Sequence, residues 1–215
     1  MSEQEYIDIY NENFEHIGMA MRAEAHRRGS WHQTVHCWVL RREHAHEYLL
    51  FQRRAATKLV FPGLLDVTVA GHLLQGETVA DAGREVTEEL GLVVQPTDLV
   101  YLGVKHDCAV VGGMILREFA HVFLLERNQP LEAYRLQADE VAGLVQMEVH
   151  AGLRLFSGEV DSVPVVGVEV DEHGKLRPIE RDVSRGDFVP CVDNYYLKLA
   201  IMAERLFRGE RYLAI

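Results

Sequence analysis

Three glutamates at helical spacing are the residues of this chain that point most directly to chemistry. Glu85, Glu88 and Glu89 stand at i, i+3 and i+4 in a segment predicted to be helical from about Thr78 to Leu90, so they share one face. Like charges at this spacing repel each other, and the helix dipole adds to the cost near the C-terminal end. A divalent cation would reverse the sign of that energy. Because Mg²⁺ and Mn²⁺ prefer oxygen ligands, the face predicts a metal site, and a solvated acidic surface is the plain alternative.

The opposite side of the same segment is apolar, which predicts that the helix packs against a sheet. Its apolar positions are Val79, Ala82, Val86 and Leu90. Gly91 follows directly and can supply the left-handed residue that ends a helix. The glutamates would therefore be held at a fixed orientation above the core.

The stretch from Gly71 to Leu92 resembles the signature of the Nudix hydrolases. The positions that match by residue type are Gly71, Glu77, Arg84, Glu85, Val86, Glu88, Glu89, Gly91 and Leu92. One departure is that only six residues separate Glu77 from Arg84, one fewer than in the signature. That makes a Glu77 to Arg84 ion pair less certain than the register of the helix.

The Nudix resemblance implies a fold class, a cofactor and a set of roles. The fold is α/β, a mixed β-sheet sandwiched between helices (α/β/α), with an N-terminal strand and a C-terminal hairpin and helix added. The cofactor is Mg²⁺ or Mn²⁺. Its site would comprise Glu85, Glu88, Glu89 and Gly71, and Arg84 would orient the carboxylates rather than touch the substrate.

The stretch before the signature is similar to one branch of that superfamily, the isopentenyl-diphosphate isomerases and related hydrolases. The matching features are a strand ending in Arg53-Arg54, then Lys58, a Pro62-Gly63 turn and a strand running into Gly71-His72. The resemblance implies that Arg54 and Lys58 bind a substrate diphosphate, for which a guanidinium fork and an ammonium are suited. Ala70 stands where the isomerase carries its catalytic cysteine. Alanine cannot transfer a proton, which argues against the isomerase reaction.

Histidines form a second feature of the isomerase branch, where they bind a metal. His32 and His72 fall near the matching places and His26 is one residue out of step. Three converging imidazoles could bind a transition metal. Because the chain has 11 histidines, ordinary hydrogen-bonded residues remain the alternative.

An acidic pair lies farther along the chain, directly before a predicted strand. Nudix proteins similar to this one commonly have a glutamate here, as an extra metal ligand or as the general base. Glu140, followed by Val141, is the better match and Asp139 the second choice. The expected catalytic set is Glu88, Glu89 and Glu140, with Arg84.

Alternating apolar residues and turn signals predict the remaining elements. Strands are expected at residues 6–10, 33–41, 47–52, 99–106, 118–126, 163–169 and 176–183, with a turn at 11–18 and helices at about 19–26 and 193–208. The predicted organisation is an N-terminal extension (1–30), a catalytic domain (31–157) and a C-terminal hairpin and helix packing on that domain (158–215). The last helix would close the core or form a homodimer face.

Composition bounds the function. The chain has 215 residues and a net charge of -11, which argues against nucleic acid as a partner. Cys37, Cys108 and Cys191 show neither paired spacing nor a zinc pattern, so reduced thiols in a cytoplasmic protein are expected. Neither a signal peptide nor a membrane-spanning run is apparent.

The favoured prediction is therefore a Mg²⁺-dependent hydrolase of a phosphoanhydride bond. Its partner would be a small molecule carrying a nucleoside diphosphate or another diphosphate. An isomerase of the isopentenyl type and a catalytically silent sensor of a phosphorylated ligand are the alternatives.

Overall fold

The computed structural model describes residues 5–215, so the first four residues of the expected N-terminal extension lie outside it. Within the described residues, the strands are β1 (Tyr6–Tyr10), β2 (His16–Met21), β3 (Trp31–Glu43), β4 (His46–Arg54), β5 (Leu65–Asp66), β6 (Val69–His72), β7 (Leu99–Val111), β8 (Met114–Glu126), β9 (Val141–Glu148), β10 (Ser162–Val170) and β11 (Leu176–Ser184). The α-helices are α1 (Arg22–Arg28), α2 (Gly83–Leu90), α3 (Val149–Ser157) and α4 (Tyr195–Phe207). Short 3₁₀ turns connect several of them.

One mixed sheet contains all of these strands. Its main path runs β11-β10-β9-β4-β3-β1-β2, and the remaining strands pair with β3, β4 or β8. The long strand β3 organises the centre, because it pairs antiparallel with β4 and β6 and parallel with β8. The first and last strands of the chain are thus parts of the same sheet, while the predicted boundaries at residues 30 and 157 remain predictions.

Alternation along β3 divides the core into two layers. Val35, Cys37 and Val39 belong to a buried cluster that includes Val86 and Leu90 of α2. Trp38 and Leu40 point to the other face, into a cluster that contains residues of α3 and α4. Helices therefore cover both faces, and the predicted α/β/α arrangement is confirmed.

Several predicted elements have the expected places, and two boundaries were wrong. The strands and the C-terminal hairpin of β10 and β11 are confirmed, and β7 and β8 form a further hairpin. The predicted turn 11–18 is shorter, because His16–Met21 is β2 paired with β1, and α1 therefore begins only at Arg22. The helix expected from Thr78 is a 3₁₀ turn at Val79–Ala82, closed by a capping box between Thr78 and Asp81, followed by α2.

Two features concern the C-terminal part of the chain. Helix α3 was not predicted, and it follows β9 without an intervening turn. Helix α4 packs into the core through residues such as Leu199 and Ala203, as expected for a helix that closes the core, and the homodimer face stays a prediction. No helix within residues 5–215 combines the length and the apolar character needed to cross a membrane.

Candidate active site

Helix α2 packs beside β6 and carries the three glutamates. Gly71 of β6 leaves space for one of them. A Cβ atom at position 71 would overlap the carboxylate of Glu85. The glycine is therefore required by space and not by backbone conformation. Glu88 is exposed and Glu89 is 4% exposed, so the three carboxylates sit at different depths above the sheet.

Arg84 ties the glutamates to the loop before the helix. Its Nε donates to Glu77 over 2.6 Å, and its Nη2 donates to the carbonyl oxygen of His72 over 3.0 Å. It also donates to Glu85 over 2.9 Å and to Glu88 over 3.0 Å. The ion pair between Glu77 and Arg84 therefore forms although the chain between them is one residue shorter than in the signature. Arg84 stands where it can orient carboxylates.

Burial raises the pKa of two of the carboxyl groups. It raises the pKa of Glu85, against the opposing charge of Arg84. Burial also raises the pKa of Glu89 well above the ordinary carboxyl range, and the neighbouring Glu85 raises it further. Gln52 donates to Glu89 over 3.3 Å. Clustered carboxyl groups with raised pKa values are typical of a site that takes up a cation or a proton.

Glu140 joins this group from the loop before β9. It is 4% exposed, and its carboxylate forms an ion pair with the ammonium group of Lys58. The positive charge of Lys58 also lowers the pKa of Glu89, although less than burial raises it. Two residues predicted for different roles, a base and a phosphate ligand, are therefore in contact. Asp139 lies beside them, and its main-chain oxygen accepts a hydrogen bond from Thr57.

Two cavities meet at this place. A small one of about 40 Å³ is lined by Glu85, Glu88, Glu89 and Glu140. A large one of about 530 Å³ is lined by Lys58, Arg54 and Glu140 among others, within the range of small-molecule sites. Arg22, His72 and Glu140 line both cavities. The acidic pocket therefore adjoins a space large enough for an organic ligand.

Arg54 lines the large cavity but is also a structural residue. Its guanidinium donates to the carbonyl oxygen of Val60 over 2.9 Å and to Asp66 over 2.8 Å. These bonds hold the loop that follows β4. Three of its five N–H donors are committed in this way, so a phosphate could engage only the others.

The three histidines expected from the isomerase resemblance converge with a glutamate. Ligand atoms of His26, His32, His72 and Glu118 all lie within 4.8 Å of one another. The Nε2 atoms of His26 and His72 are 3.2 Å apart. His32 donates from Nδ1 to the carbonyl oxygen of Ser30, and its buried Nε2 lies 3.7 Å from Oε1 of Glu118 with no hydrogen-bond partner among residues 5–215. A nitrogen so placed is suited to a metal ion.

Protonation favours the same interpretation of the cluster. Burial lowers the pKa of His26 to about 4, and burial with the charge of Arg22 lowers that of His72 well below its ordinary value. Burial raises the pKa of Glu118, but neighbouring His32 outweighs it and lowers that pKa to about 2. Two neutral imidazoles and a carboxylate are thus present at neutral pH. Metal binding requires these protonation states.

Comparison with known proteins identifies the family. The family model of the NUDIX domain matches residues 30–162, which is more than half of the chain. The chain belongs to the Nudix family. An uncharacterized Nudix hydrolase of Clostridium acetobutylicum is 37% identical over 194 residues, 90% of this chain and 94% of the relative. An isopentenyl-diphosphate Δ-isomerase of Cutibacterium acnes is 31% identical over 139 residues, 63% of this chain and 68% of the relative.

Solved structures agree with the Nudix fold. A Deinococcus radiodurans protein superimposes with a TM-score of 0.53 at 24% identity, covering 72% of this chain and 90% of its own. A Nudix hydrolase of Alicyclobacillus acidocaldarius gives a TM-score of 0.52 at 15% identity, covering 85% of this chain and 96% of its own. At these identities the likeness concerns the fold alone. The family relationship supports a hydrolase.

Sequence reasoning missed two residues of the site. Arg22 lines both cavities, and its guanidinium donates to Glu5 over 3.1 Å. Glu118 joins the histidines because β8 runs parallel to β3, with Glu118 directly beside His32. His32 and Glu118 are 86 positions apart in the chain, so sequence spacing alone could not predict their contact. The available signal was that Glu118 shares one face of β8 with the apolar residues Ala120 and Val122.

Proposed function

We propose that this Nudix chain is a Mg²⁺-dependent hydrolase, also active with Mn²⁺, that cleaves the phosphoanhydride bond of a small diphosphate. The observation that carries the proposal is the junction of the two cavities. Glu85, Glu88, Glu89 and Glu140 are among the residues that line the small one, and Lys58 and Arg22 are among those that line the large one. Anionic ligands for a metal thus stand beside cationic ligands for phosphate. This pairing is what hydrolysis of a diphosphate requires.

Each side chain has a distinct task in this mechanism. Glu85, Glu88 and Glu89 would hold Mg²⁺, which when bound neutralises phosphate charge and lowers the pKa of a bound water. Glu140, or a carboxylate of the helix trio, accepts the proton of the attacking water. Lys58 hydrogen-bonds the phosphate oxygens, with the remaining donors of Arg54. Arg84 positions the carboxylates and does not touch the substrate.

A panel assay tests the proposed hydrolysis. Phosphate release would be measured with Mg²⁺ or Mn²⁺ over nucleoside, nucleotide-sugar, dinucleotide, isoprenoid and thiamine diphosphates. Turnover of at least one compound is expected, with a loss of about a hundredfold or more in Glu89→Gln because a metal ligand is removed. Glu180→Gln, on the exposed part of β11, is the matched control and should retain full activity. Binding of a compound without turnover of any would favour the sensor.

The isomerase remains the weaker candidate. Its support is the group of His26, His32, His72 and Glu118 together with the isomerase relatives. Against it, Ala70 lines the large cavity at the position of the proton-transferring cysteine. A methyl group there can neither donate nor accept a proton. Isomerisation of isopentenyl diphosphate without phosphate release would reverse this order of preference.

The histidine group supports a second proposal, that a transition metal binds there. The Nε2 of His32, which makes no hydrogen bond among residues 5–215, and the neutral imidazoles of His26 and His72 favour such a site. Co²⁺ added to metal-free protein should give visible absorption bands that His32→Gln loses and His150→Gln, an exposed control on α3, retains. Absence of bands in the wild-type protein would refute the second site. Activity plays no part in this readout.

The location proposed for this enzyme is the cytoplasm. All three cysteines are free, and Cys108 is exposed. Free thiols are usual where reducing conditions prevail. A small-molecule diphosphate, rather than nucleic acid, remains the proposed partner of the net negative chain.

A further inference from the structure

His36 is a buried histidine of the large cavity that the proposed hydrolysis does not use. It lines the cavity and is 8% exposed. On β3 it follows Thr34 on the same face, and across the sheet it lies directly beside Ala70 of β6. His72 pairs with Thr34 in the same register, so His36 lies two residues, about 7 Å, farther along the sheet than His72. His36 and His72 therefore line the cavity at different levels of the sheet.

Two aromatic side chains determine which nitrogen of His36 carries the proton. The Nε1 of Trp38 donates to the hydroxyl oxygen of Tyr195 over 3.0 Å. The same hydroxyl is 3.0 Å from Nδ1 of His36. Indole is a donor only, and a buried hydroxyl needs an acceptor for its own proton. Tyr195, which is 1% exposed, therefore donates to Nδ1 of His36.

The consequence is a fixed donor in the cavity wall. With Nδ1 accepting from Tyr195, the proton of the neutral ring is on Nε2. Burial lowers the pKa of His36, so the ring stays neutral at neutral pH. Within residues 5–215, Nε2 has no hydrogen-bond partner. Nε2 of His36 is not among the fully buried unpaired atoms, so this N–H group reaches the cavity, where a ligand can accept from it.

Apolar atoms make up most of the surface of this cavity. The apolar side chains that line it include Val60, Phe61, Val67, Val189 and Pro190. The polar side chains nearby are paired within the protein. Asp66 binds Arg54 over 2.8 Å, and Asp107 binds Lys105 over 2.8 Å. A ligand rich in hydroxyl groups would leave many of them unpaired in this space.

We propose that His36 is a specificity-determining residue, whose Nε2–H selects substrates in which the diphosphate carries a mainly apolar organic group with one hydrogen-bond acceptor. The acceptor would be a ring nitrogen or a carbonyl oxygen. This inference rests on the proposed hydrolysis and deepens it. Tyr195 and Trp38 act as positioning residues, because they hold the tautomer of His36. A site built around one buried donor rejects analogues that lack the acceptor.

Matched synthetic diphosphates test the selection. The probes are 2-phenylethyl diphosphate and the three pyridylethyl diphosphates, which have the same shape and differ by one ring nitrogen. Under mildly alkaline conditions, the best pyridyl compound should exceed the phenyl compound in kcat/KM by about tenfold, the value of one well-placed hydrogen bond. The difference should lie mainly in KM, because His36 contacts the organic group and not the reacting phosphate.

Variants of His36 separate a specific role from a structural one. His36→Met should abolish the preference, and His36→Gln, which restores an N–H donor, should recover part of it. If turnover occurs but the pyridyl and phenyl compounds react equally well in the wild-type protein, the selection by His36 is refuted and the hydrolase stands. If no diphosphate is turned over, including those of the broader panel, the proposed function itself fails.

A spectroscopic measurement tests the tautomer without any substrate. In ¹⁵N-labelled wild-type protein, Nε2 of His36 should show the chemical shift of a protonated nitrogen and Nδ1 that of an accepting nitrogen. Tyr195→Phe removes the hydroxyl and should change the Nδ1 shift. A wild-type ring protonated on Nδ1 would overturn the inference even if the His36 variants proved unstable.

Discussion

At the scale of single residues, the site depends on a position without a side chain, Gly71, as well as on the charged residues. Gly71 provides the space in which the Glu85 carboxylate lies, and no larger residue could do so without moving it. Because that carboxylate is the end of a flexible side chain, a methyl group at position 71 would displace it and leave the backbone in place. The substitution should therefore disturb the metal site and leave the fold unchanged.

Gly71→Ala should therefore weaken Mg²⁺ binding by about tenfold to a hundredfold, since displacement of one ligand by an ångström has effects of that size. Isothermal titration would measure the affinity and thermal unfolding the stability. Gly186→Ala is the matched control, because its new Cβ would lie 3.6 Å from Ser184 Oγ, an ordinary contact. Unchanged Mg²⁺ affinity in Gly71→Ala would contradict the assignment of Glu85 as a ligand.

Glu89 supplies a second prediction at this scale. The pKa of Glu89 in the folded protein is raised above the ordinary value of 4.5. The protonated carboxyl group therefore contributes its whole stabilising free energy below pH 4.5, and this contribution is lost as pH rises through the folded-state pKa. As pH rises through this range, the melting temperature of the metal-free wild-type protein should fall, and that of Glu89→Gln should fall less. At the upper end of this pH range, Mg²⁺ should raise the melting temperature of the wild-type protein but not that of Glu89→Gln.

Thermal unfolding across pH, with and without a chelator, measures this effect. Glu180→Gln should follow the wild-type curve, because its side chain is exposed and remote from the site. Parallel curves for the wild-type protein and Glu89→Gln would show that Glu89 has an ordinary pKa.

At the scale of elements, α2 is held in place by its own arginine. The ion pair from Arg84 to Glu77 links the helix to the loop after β6, and the bond to the carbonyl oxygen of His72 links it to β6 itself. The side chains of Arg84 and Glu77 are 26% and 20% exposed, so water screens the pair only in part. The helix and the strand should behave as one unit.

A double-mutant cycle with Arg84→Gln and Glu77→Gln, measured by urea unfolding, tests this coupling. We expect a coupling energy of about 1–2 kcal/mol, as found for contacting residues in one network. The matched control is the pair of Arg154 and Glu159, whose bond is equally short at 2.7 Å but whose side chains are 43% and 61% exposed. That pair should couple close to zero. Equal coupling in both cycles would mean that Arg84 does not hold the helix.

The limits of sequence prediction are clearest for these elements. The positions of Glu85, Glu88 and Glu89 on one helix, and the alternation of β3, followed from periodicity. The 3₁₀ turn before α2 did not, because a capping box at Thr78 reads like an ordinary helix start. The approach of Glu118 to His32 also could not be predicted, since it depends on a parallel pairing between distant strands. The partners of Arg54 depend on the loop that follows β4.

At the scale of the whole molecule, the C-terminal part of the chain completes the core that carries the site. Leu199 of α4 is fully buried in the same cluster as Trp38 of β3. The hairpin of β10 and β11 extends the same sheet beyond β9. The chain should therefore unfold as a single cooperative unit.

Leu199→Ala should reduce the free energy of unfolding by about 2–5 kcal/mol, the usual range for a buried leucine. Urea unfolding followed by tryptophan fluorescence and by circular dichroism should give coincident transitions in the wild-type protein and in the variant. Ile201→Ala, on the same helix but 37% exposed, should have a much smaller effect. Two separate transitions would show that the C-terminal hairpin and helix form an independent unit.

The most direct test of the central claim follows the phosphorus atoms themselves. The compound turned over best in the diphosphate panel would be incubated with Mg²⁺ in ¹⁸O-enriched water and observed by ³¹P NMR. Hydrolysis predicts new phosphate resonances with the ¹⁸O isotope shift on one product, formed by the wild-type protein and not by Glu89→Gln. A product with its diphosphate intact, or no change in any phosphorus resonance, would contradict the account of this chain as a phosphoanhydride hydrolase.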